Sequence, residues 1–279
     1  GGTIQIYAML QRVFVEVFTL RESAVSVINF ASRLTQFPQS ILITAVTTVI
    51  YPILSRKEAE NDHESIKGLY GKGLHYLLLL LGPVTIFTYF YAENLVQIVF
   101  EYGKFGAGDT AITAPVVAVF ALSMFFLAVN TYVTRFYYAK GDSMAPVVLS
   151  IFNVFIVNIG IMYVMVQNGF GVESIAWGTV ISSVINTVML VVYAAFKYDL
   201  KIGASLNKIE LLKPIIPFIV LTCIMYISSE YFAFGYKWIT FIVGTTIFGV
   251  STVVLYVMFQ IKEIEHFYTK LKSKLIKSH

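Results

Sequence analysis

The chain has 279 residues, of which 57% are hydrophobic and only 13% are charged, whereas soluble domains carry about 25% charged residues. This composition excludes a soluble globular protein and indicates an integral membrane protein. The formal net charge of +4 does not point to a nucleic-acid partner, because the lysines cluster between apolar segments and at the C-terminus. The single cysteine, Cys223, excludes a disulfide framework and a cysteine-based metal site.

Apolar segments along the chain predict an all-α bundle of about eight transmembrane helices, since a helix needs roughly 20 apolar residues to cross a bilayer. The segments lie at 4–20, 25–54, 73–91, 112–133, 145–166, 175–196, 214–228 and 238–259. The first contains Arg12 and Glu16, an i,i+4 pair that can neutralise itself. A polar loop is expected over 55–72, and Asp109 is expected to cap the fourth helix.

The second segment carries one ionisable residue, Arg33, at membrane depth. An arginine at the centre of a membrane helix costs about 2.5–3.5 kcal/mol on insertion scales, so such residues usually face a bundle interior or a wet cavity. Polar residues recur around it at helical spacing and predict one polar face, bent by Pro38. They are Asn29, Gln36, Ser40, Thr44, Thr47 and Thr48. This pattern favours a ligand contact; pairing of Arg33 with a glutamate or carbonyl of another helix is the alternative.

Lysine and arginine are distributed unequally between alternate loops. Loops after the even-numbered segments, together with the C-terminal tail, contain fifteen, and the other loops contain three. Because these residues prefer the cytoplasmic side, both ends of the chain are predicted to be cytoplasmic. Residues 261–279 place lysines mostly off an apolar helical face, a pattern suited to an anionic membrane surface, with a partner-binding helix as the alternative.

No motif of the sequence predicts a catalytic or metal site. The four histidines are scattered, and no Walker-type loop ends in Lys-Ser or Lys-Thr. No cofactor is therefore expected, and transport would draw on an ion gradient, the membrane potential or a downhill substrate rather than on ATP bound by this chain. Polar residues of the fifth and sixth segments could bind a small cation such as sodium, although interhelical hydrogen bonding is their commoner role. They are Asn153, Asn158, Ser183, Asn186 and Thr187.

Four motifs resemble the MurJ (MviN) lipid II flippases of the MOP exporter superfamily. They are Asn-Phe-Ala-Ser-Arg-Leu-Thr-Gln-Phe-Pro at 29–38, Thr-Val-Ile-Tyr-Pro-Ile-Leu-Ser at 48–55, Val-Phe-Glu-Tyr-Gly-Lys-Phe-Gly-Ala-Gly-Asp-Thr at 99–110 and Tyr-Tyr-Ala-Lys-Gly-Asp at 137–142. The family has fourteen helices, so the resemblance implies that this chain is the second lobe, from helix seven onward. It divides the chain into lobe helices 1–198 with the cavity helix at about 23–55, an apolar pair for the polyprenyl tail at 199–260, and the basic tail.

The resemblance also implies a function. Arg33 would contact the diphosphate or sugar of the lipid-linked peptidoglycan precursor, with Asn29, Gln36, Ser40 and Thr44 beside it. The protein would be a transporter, not an enzyme, that flips lipid II between leaflets of the bacterial cytoplasmic membrane by alternating access. It would be coupled to membrane potential or sodium, with membrane lipids and an N-terminal lobe as partners. Gln36 stands where some relatives carry a carboxylate, which puts a mechanism needing that acid in doubt.

Other functions stay open from the sequence. A flippase for another polyprenyl-linked oligosaccharide is the runner-up, whereas a multidrug antiporter of the same superfamily is disfavoured because Arg33 would repel cationic drugs. A membrane-embedded glycosyltransferase would need acidic residues and a metal or diphosphate loop facing one leaflet, and the acidic residues of the predicted outer loops show no paired spacing. A purely structural scaffold predicts that Arg33→Ala costs folding rather than transport.

Overall fold

The structure is a computed structural model that describes residues 13–14, 24–201, 210 and 212–261, and within these it contains helices and no strand. In chain order the helices are α1 (Ala24–Ala59), α2 (His63–Phe90), α3 (Ala92–Phe100), α4 (Ala107–Ala121), α5 (Met124–Ala139), α6 (Met144–Phe152), α7 (Ile159–Gln167), α8 (Glu173–Tyr198), α9 (Ile215–Tyr231) and α10 (Lys237–Met258). A π-helical turn, Asn153–Asn158, joins α6 to α7 without a break.

The described helices confirm the predicted all-α membrane class. Five are long and apolar enough to cross a bilayer, namely α1, α2, the run from α6 to α7, α8 and α10. A sixth span results if α4 and α5 are taken as one bent helix, and α9 is apolar but shorter. The first predicted span, 4–20, and the basic tail lie outside the described residues except for Val13, Phe14 and Ile261. The count of eight therefore stays a prediction.

The prediction of a polar loop over 55–72 is wrong, because α1 continues to Ala59 and α2 already begins at His63. Only three residues, 60–62, separate the two helices. The Asp62 carboxylate caps α2 by accepting hydrogen bonds from the Ser65 backbone N–H (3.1 Å) and hydroxyl (2.7 Å). It also accepts one from Lys57 Nζ at 2.9 Å. Capping and ion pairing thus make helical a segment that its polarity alone marks as a loop.

The fourth predicted span, 112–133, is broken rather than continuous. Helices α4 and α5 meet at an angle of 43° across Leu122 and Ser123. The Ser123 hydroxyl donates to the Phe120 carbonyl at 2.7 Å, and its backbone N–H bonds the same carbonyl at 3.0 Å. These local hydrogen bonds replace the regular helical ladder at the bend.

The chain divides into two compact units, Gly1–Leu206 and Asn207–His279. In the first, α1 packs against α2, α4 and α5, and α5 packs against α8. Two buried tyrosines of α5 tie these helices together, since the Tyr132 hydroxyl donates to the Leu69 carbonyl and the Tyr137 hydroxyl to the Leu190 carbonyl, both at 2.7 Å. In the second unit, α9 packs against α10.

Candidate functional site: a polar stripe on α1

Helix α1 has one face packed in the bundle and another left open. Its buried residues are Ala24, Val27, Ile28, Ala31, Thr35, Ile43, Val46, Ile50 and Leu54. The five residues predicted to bind substrate are all exposed on the other face, and we call them the polar stripe: Asn29, Arg33, Gln36, Ser40 and Thr44. Pro38 lies within the stripe, inside a helix that continues past it. The structure therefore places the predicted site residues together along one side of one helix.

Arg33 forms no ion pair with any residue that the structure describes. The ion pairs of those residues instead lie at helix ends, as in Lys57–Asp62 (2.9 Å) and Lys140–Glu58 (3.1 Å). Pairing of Arg33 with an acid on another helix therefore finds no support between residues 24 and 201. An exposed guanidinium without a carboxylate retains its full fork of N–H donors for a ligand.

The stripe is suited to bind an anion with several oxygens. A guanidinium can donate two parallel hydrogen bonds to a phosphate or carboxylate, which a lysine cannot do. The four neutral residues of the stripe add amide and hydroxyl groups that make no side-chain hydrogen bond to any described residue. In contrast, Thr47 and Thr48 donate to carbonyls of their own helix at 2.8 and 2.7 Å. The sequence predicts that these two threonines continue the polar face, but their hydroxyls are used in hydrogen bonds within α1.

The sequence did not reveal two sets of neighbours of the stripe. Near one end, the ring of Phe30 lies 4.9 Å from that of Phe100 and 5.3 Å from that of Phe105, measured between centroids. Near the other end, the Arg135 guanidinium lies 5.8 Å from the centroid of Tyr51. Tyr51 follows Arg33 by about five turns at 3.6 residues per turn, so periodicity could have placed it on this face. The approach of Arg135 depends on the packing of α5 against α1.

Two of the residues predicted as a possible cation site, Asn158 and Thr187, bond to neighbouring helices. Asn158 Nδ2 donates to Ser182 Oγ at 2.8 Å, and the Thr187 hydroxyl to Asn130 Oδ1 at 2.8 Å. The Ser183 hydroxyl donates to the Val180 carbonyl at 2.7 Å. Asn153 is buried, and its Oδ1 has no hydrogen-bond partner among the described residues. In this part of the chain no cluster of three or more His, Cys, Asp or Glu residues could hold a metal ion.

An all-helical bundle with repeated bilayer-length apolar helices, one of them bearing an open cationic stripe, defines a multi-pass membrane protein. The sequence profile of the family described as "Lipid II flippase MurJ" matches residues 1–248, so the chain belongs to the MurJ family.

Individual relatives agree with this assignment. The chain is 29% identical over 237 residues to a "Probable lipid II flippase MurJ" of Rickettsia prowazekii, a match that covers 81% of this chain and 46% of the relative. It is 25% identical over 262 residues to a protein of the same description from Borreliella burgdorferi, covering 91% of this chain and 50% of the relative. The chain thus spans about half the length of these curated relatives.

A solved structure shares the fold. "Lipid II flippase MurJ, inward closed conformation" aligns with a TM-score of 0.63 and 20% sequence identity, covering 84% of this chain and 47% of that one. At this identity the similarity establishes the arrangement of helices and not the function of single residues.

Proposed function

We propose that the protein to which this chain belongs moves lipid II, a lipid-linked peptidoglycan precursor, from the inner to the outer leaflet of a bacterial cytoplasmic membrane. The polar stripe of α1 contacts its anionic headgroup. The observation that carries this proposal is Arg33, an exposed arginine within a membrane helix that has no carboxylate partner among the described residues, in a chain of the MurJ family. Ionisable residues within membrane helices are costly, and they commonly mark substrate pathways.

The stripe provides binding rather than covalent chemistry, so the protein is a transporter. Arg33 holds the diphosphate by its guanidinium fork, and the neutral stripe residues hydrogen-bond to the remaining headgroup oxygens. Alternating access then exposes the stripe first to the inner and afterwards to the outer side. The membrane potential can bias this cycle, since moving one charge through 100 mV is worth about 2.3 kcal/mol.

Sodium coupling is the alternative energy source. It would use Asn153, Asn158, Ser183 and Thr187. The buried Asn153 Oδ1, which lacks a described partner, supports a cation ligand there. The interhelical hydrogen bonds of Asn158 and Thr187 support a structural role for those two residues.

The proposal includes an N-terminal lobe of the same protein that completes the cavity. The chain spans about half the length of its curated relatives, and the exposed face of α1 supports a partner lobe opposite the stripe. We infer that the chain is the C-terminal part of the protein, with both of its ends cytoplasmic. Residues 1–198 form the lobe, 199–260 hold the polyprenyl tail, and 261–279 lie on the membrane surface. Large apolar side chains exposed on α9 and α10, such as Ile219 and Ile242, support the tail groove.

Replacing Arg33 in the full-length protein tests the proposal. Cells depleted of their own flippase would express wild type, Arg33→Ala or Arg33→Lys, and lipid II on the outer face would be measured together with the membrane abundance of each variant. We expect Arg33→Ala to abolish exposure at unchanged abundance, and Arg33→Lys to restore only part of it, because lysine keeps the charge but not the fork.

The control variant is Arg56→Ala, which removes an exposed arginine at the end of the same helix. It should transport normally. Normal transport by Arg33→Ala would contradict the proposal, and loss of Arg33→Ala from the membrane would instead indicate a scaffold role.

A further inference from the structure

A cavity of about 450 Å³ lies away from the stripe, at the ends of three helices. The start of α2 contributes His63 and Lys67, the end of α5 contributes Lys140, and the end of α8 contributes Phe196 and Lys197. Among its lining residues are three lysines and a single carboxylate, Asp199. The side chains that line the cavity therefore carry a net positive charge, whereas carboxylates just outside the cavity balance that charge.

Each of the three lysines has an acidic partner. Lys140 pairs with Glu58 at 3.1 Å and Lys197 with Asp142 at 2.8 Å. Lys67 pairs with Glu64 at 3.2 Å and with Asp199 at 2.8 Å. Glu58, Asp142 and Glu64 do not line the cavity.

Two of the acids, Asp199 and Asp142, carry lowered pKa values and are ionised at neutral pH. Hydrogen bonds from Lys201 and Lys67 lower the pKa of Asp199 to about 2. Hydrogen bonds from Lys197 and Tyr198 hold the pKa of the Asp142 carboxyl well below its usual range.

Two of the lysines can reach an incoming anion. Lys67 is 22% exposed and its partners Glu64 and Asp199 are 86% and 58% exposed, so these ion pairs contribute little to stability and can be exchanged. Lys197 is 45% exposed and stays with Asp142, which is 13% exposed, but its ammonium has three N–H donors and can also donate to an anion. Lys140 is 12% exposed and stays with Glu58. Lys67 and Lys197 are thus the cations available to an incoming anion.

The cavity is also lined by an exposed aromatic side chain, Phe196. Phe196 is 88% exposed and lies next to Lys197 at the end of a membrane span. A phenylalanine ring has no polar atom, so an exposed one at a span end favours contact with the apolar part of a lipid, and basic pockets between membrane helices bind anionic lipid headgroups. A free phosphate ion would make no use of Phe196.

We propose that this cavity binds the phosphate of an anionic phospholipid, with Lys67 and Lys197 on the phosphate and Phe196 against the lipid's apolar part. The site is separate from the polar stripe, and its occupant is a membrane lipid rather than the transported one.

Phospholipid retention by the full-length protein tests the proposal. The purified protein would be placed in nanodiscs of phosphatidylcholine, alone or mixed with phosphatidylglycerol, and bound lipid and thermal unfolding would be measured. We expect phosphatidylglycerol to bind and to raise the unfolding temperature of wild type. The double variant Lys67→Ala, Lys197→Ala should bind it at least tenfold more weakly, because both charge-assisted hydrogen bonds to the phosphate are lost.

The matched control is Lys201→Ala, which removes an exposed lysine that also pairs with Asp199 but does not line the cavity. It should behave as wild type. Phe196→Ala should by itself weaken phosphatidylglycerol binding. Because Phe196 is exposed, this variant should fold, and it keeps the test valid if the double lysine variant does not fold.

Three results would overturn the proposal. They are equal stabilisation of wild type by both lipid mixtures, equal effects of Lys201→Ala and the double variant, and protection by inorganic phosphate that Phe196→Ala leaves unchanged. The last would assign the cavity to free phosphate. None of these measurements involves lipid II, so their failure would leave the proposed transport function untouched.

Discussion

Gly73 lies on α2 where the side chain of Tyr132 crosses from α5. A Cβ atom added at Gly73 would overlap the hydroxyl and ring of Tyr132. That ring is buried and is fixed by its hydrogen bond to the Leu69 carbonyl at 2.7 Å, so it cannot move aside freely. The close approach of α2 and α5 therefore depends on the missing side chain.

Gly73→Ala is expected to destabilise the protein by about 1–3 kcal/mol, the usual cost of overpacking a core. Gly68→Ala on the same helix is the control, because no atom beyond its chain neighbours and its own helix backbone lies within 4 Å of the added Cβ, and alanine favours the helix. Thermal unfolding in one detergent would compare the two variants. Equal unfolding temperatures would contradict the packing described.

At the level of single residues, the sequence could predict the stripe but not its surroundings. Arg33 and its neighbours recur at helical spacing, which is a local property that survives folding. The contact of Arg135 with Tyr51 joins residues of different helices, and no periodicity encodes it. The same holds for the cavity lysines, which three separate helices contribute.

A largely buried ion pair joins the C-terminal ends of α1 and α5. Glu58, in the last turn of α1, pairs with Lys140, which follows the last residue of α5, at 3.1 Å. Both side chains are largely buried, being 25% and 12% exposed. Removing one member leaves the other charge poorly solvated, which costs more than losing an exposed pair.

Glu58→Gln or Lys140→Met alone should each lower stability by about 1–3 kcal/mol, and the double variant should recover part of that loss. Arg56→Ala, which breaks the exposed and longer Arg56–Glu60 pair (3.9 Å), should have little effect. Chemical or thermal unfolding of wild type and these four variants would measure the changes in stability. Additive losses in the double variant would show that the two residues are not coupled.

Apolar length predicted most elements because a bilayer demands about 20 apolar residues whatever the packing. It could not reveal the bend between α4 and α5, since the residues around Ser123 include no proline or glycine and are as apolar as their neighbours. It also missed the helical turns at 55–59 and 63–72, where caps and ion pairs stabilise helix in water.

For the whole molecule, the unequal distribution of lysine and arginine predicts which loops face the cytoplasm. The loop between α1 and α2 should be inside, and the loop between α3 and α4 should be outside. Glu64 is exposed in the first turn of α2, next to the predicted inner loop, and Lys104 is exposed in the predicted outer loop. Cys223 is the only cysteine of the chain.

Cysteine labelling would test this orientation. In a Cys223→Ser background, a membrane-impermeant maleimide added to intact cells should label Lys104→Cys and not Glu64→Cys, which should react only after permeabilisation. The reverse pattern would invert the topology and place the basic loops outside.

The two ends of α1 add different contacts to the apolar packing of the helix. Towards its C-terminus Glu58 pairs with Lys140 and Lys57 with Asp62, whereas towards its N-terminus the ring of Phe30 lies tilted against Phe100 and edge-on to Phe105. Dissolved ions screen exposed charges, with a Debye length of about 8 Å at physiological salt, but they screen a largely buried pair such as Glu58–Lys140 much less and leave ring contacts almost unchanged. Raising the ionic strength should therefore weaken the more exposed Lys57–Asp62 pair first, while the buried pair and the phenylalanine rings keep both ends of the helix in place.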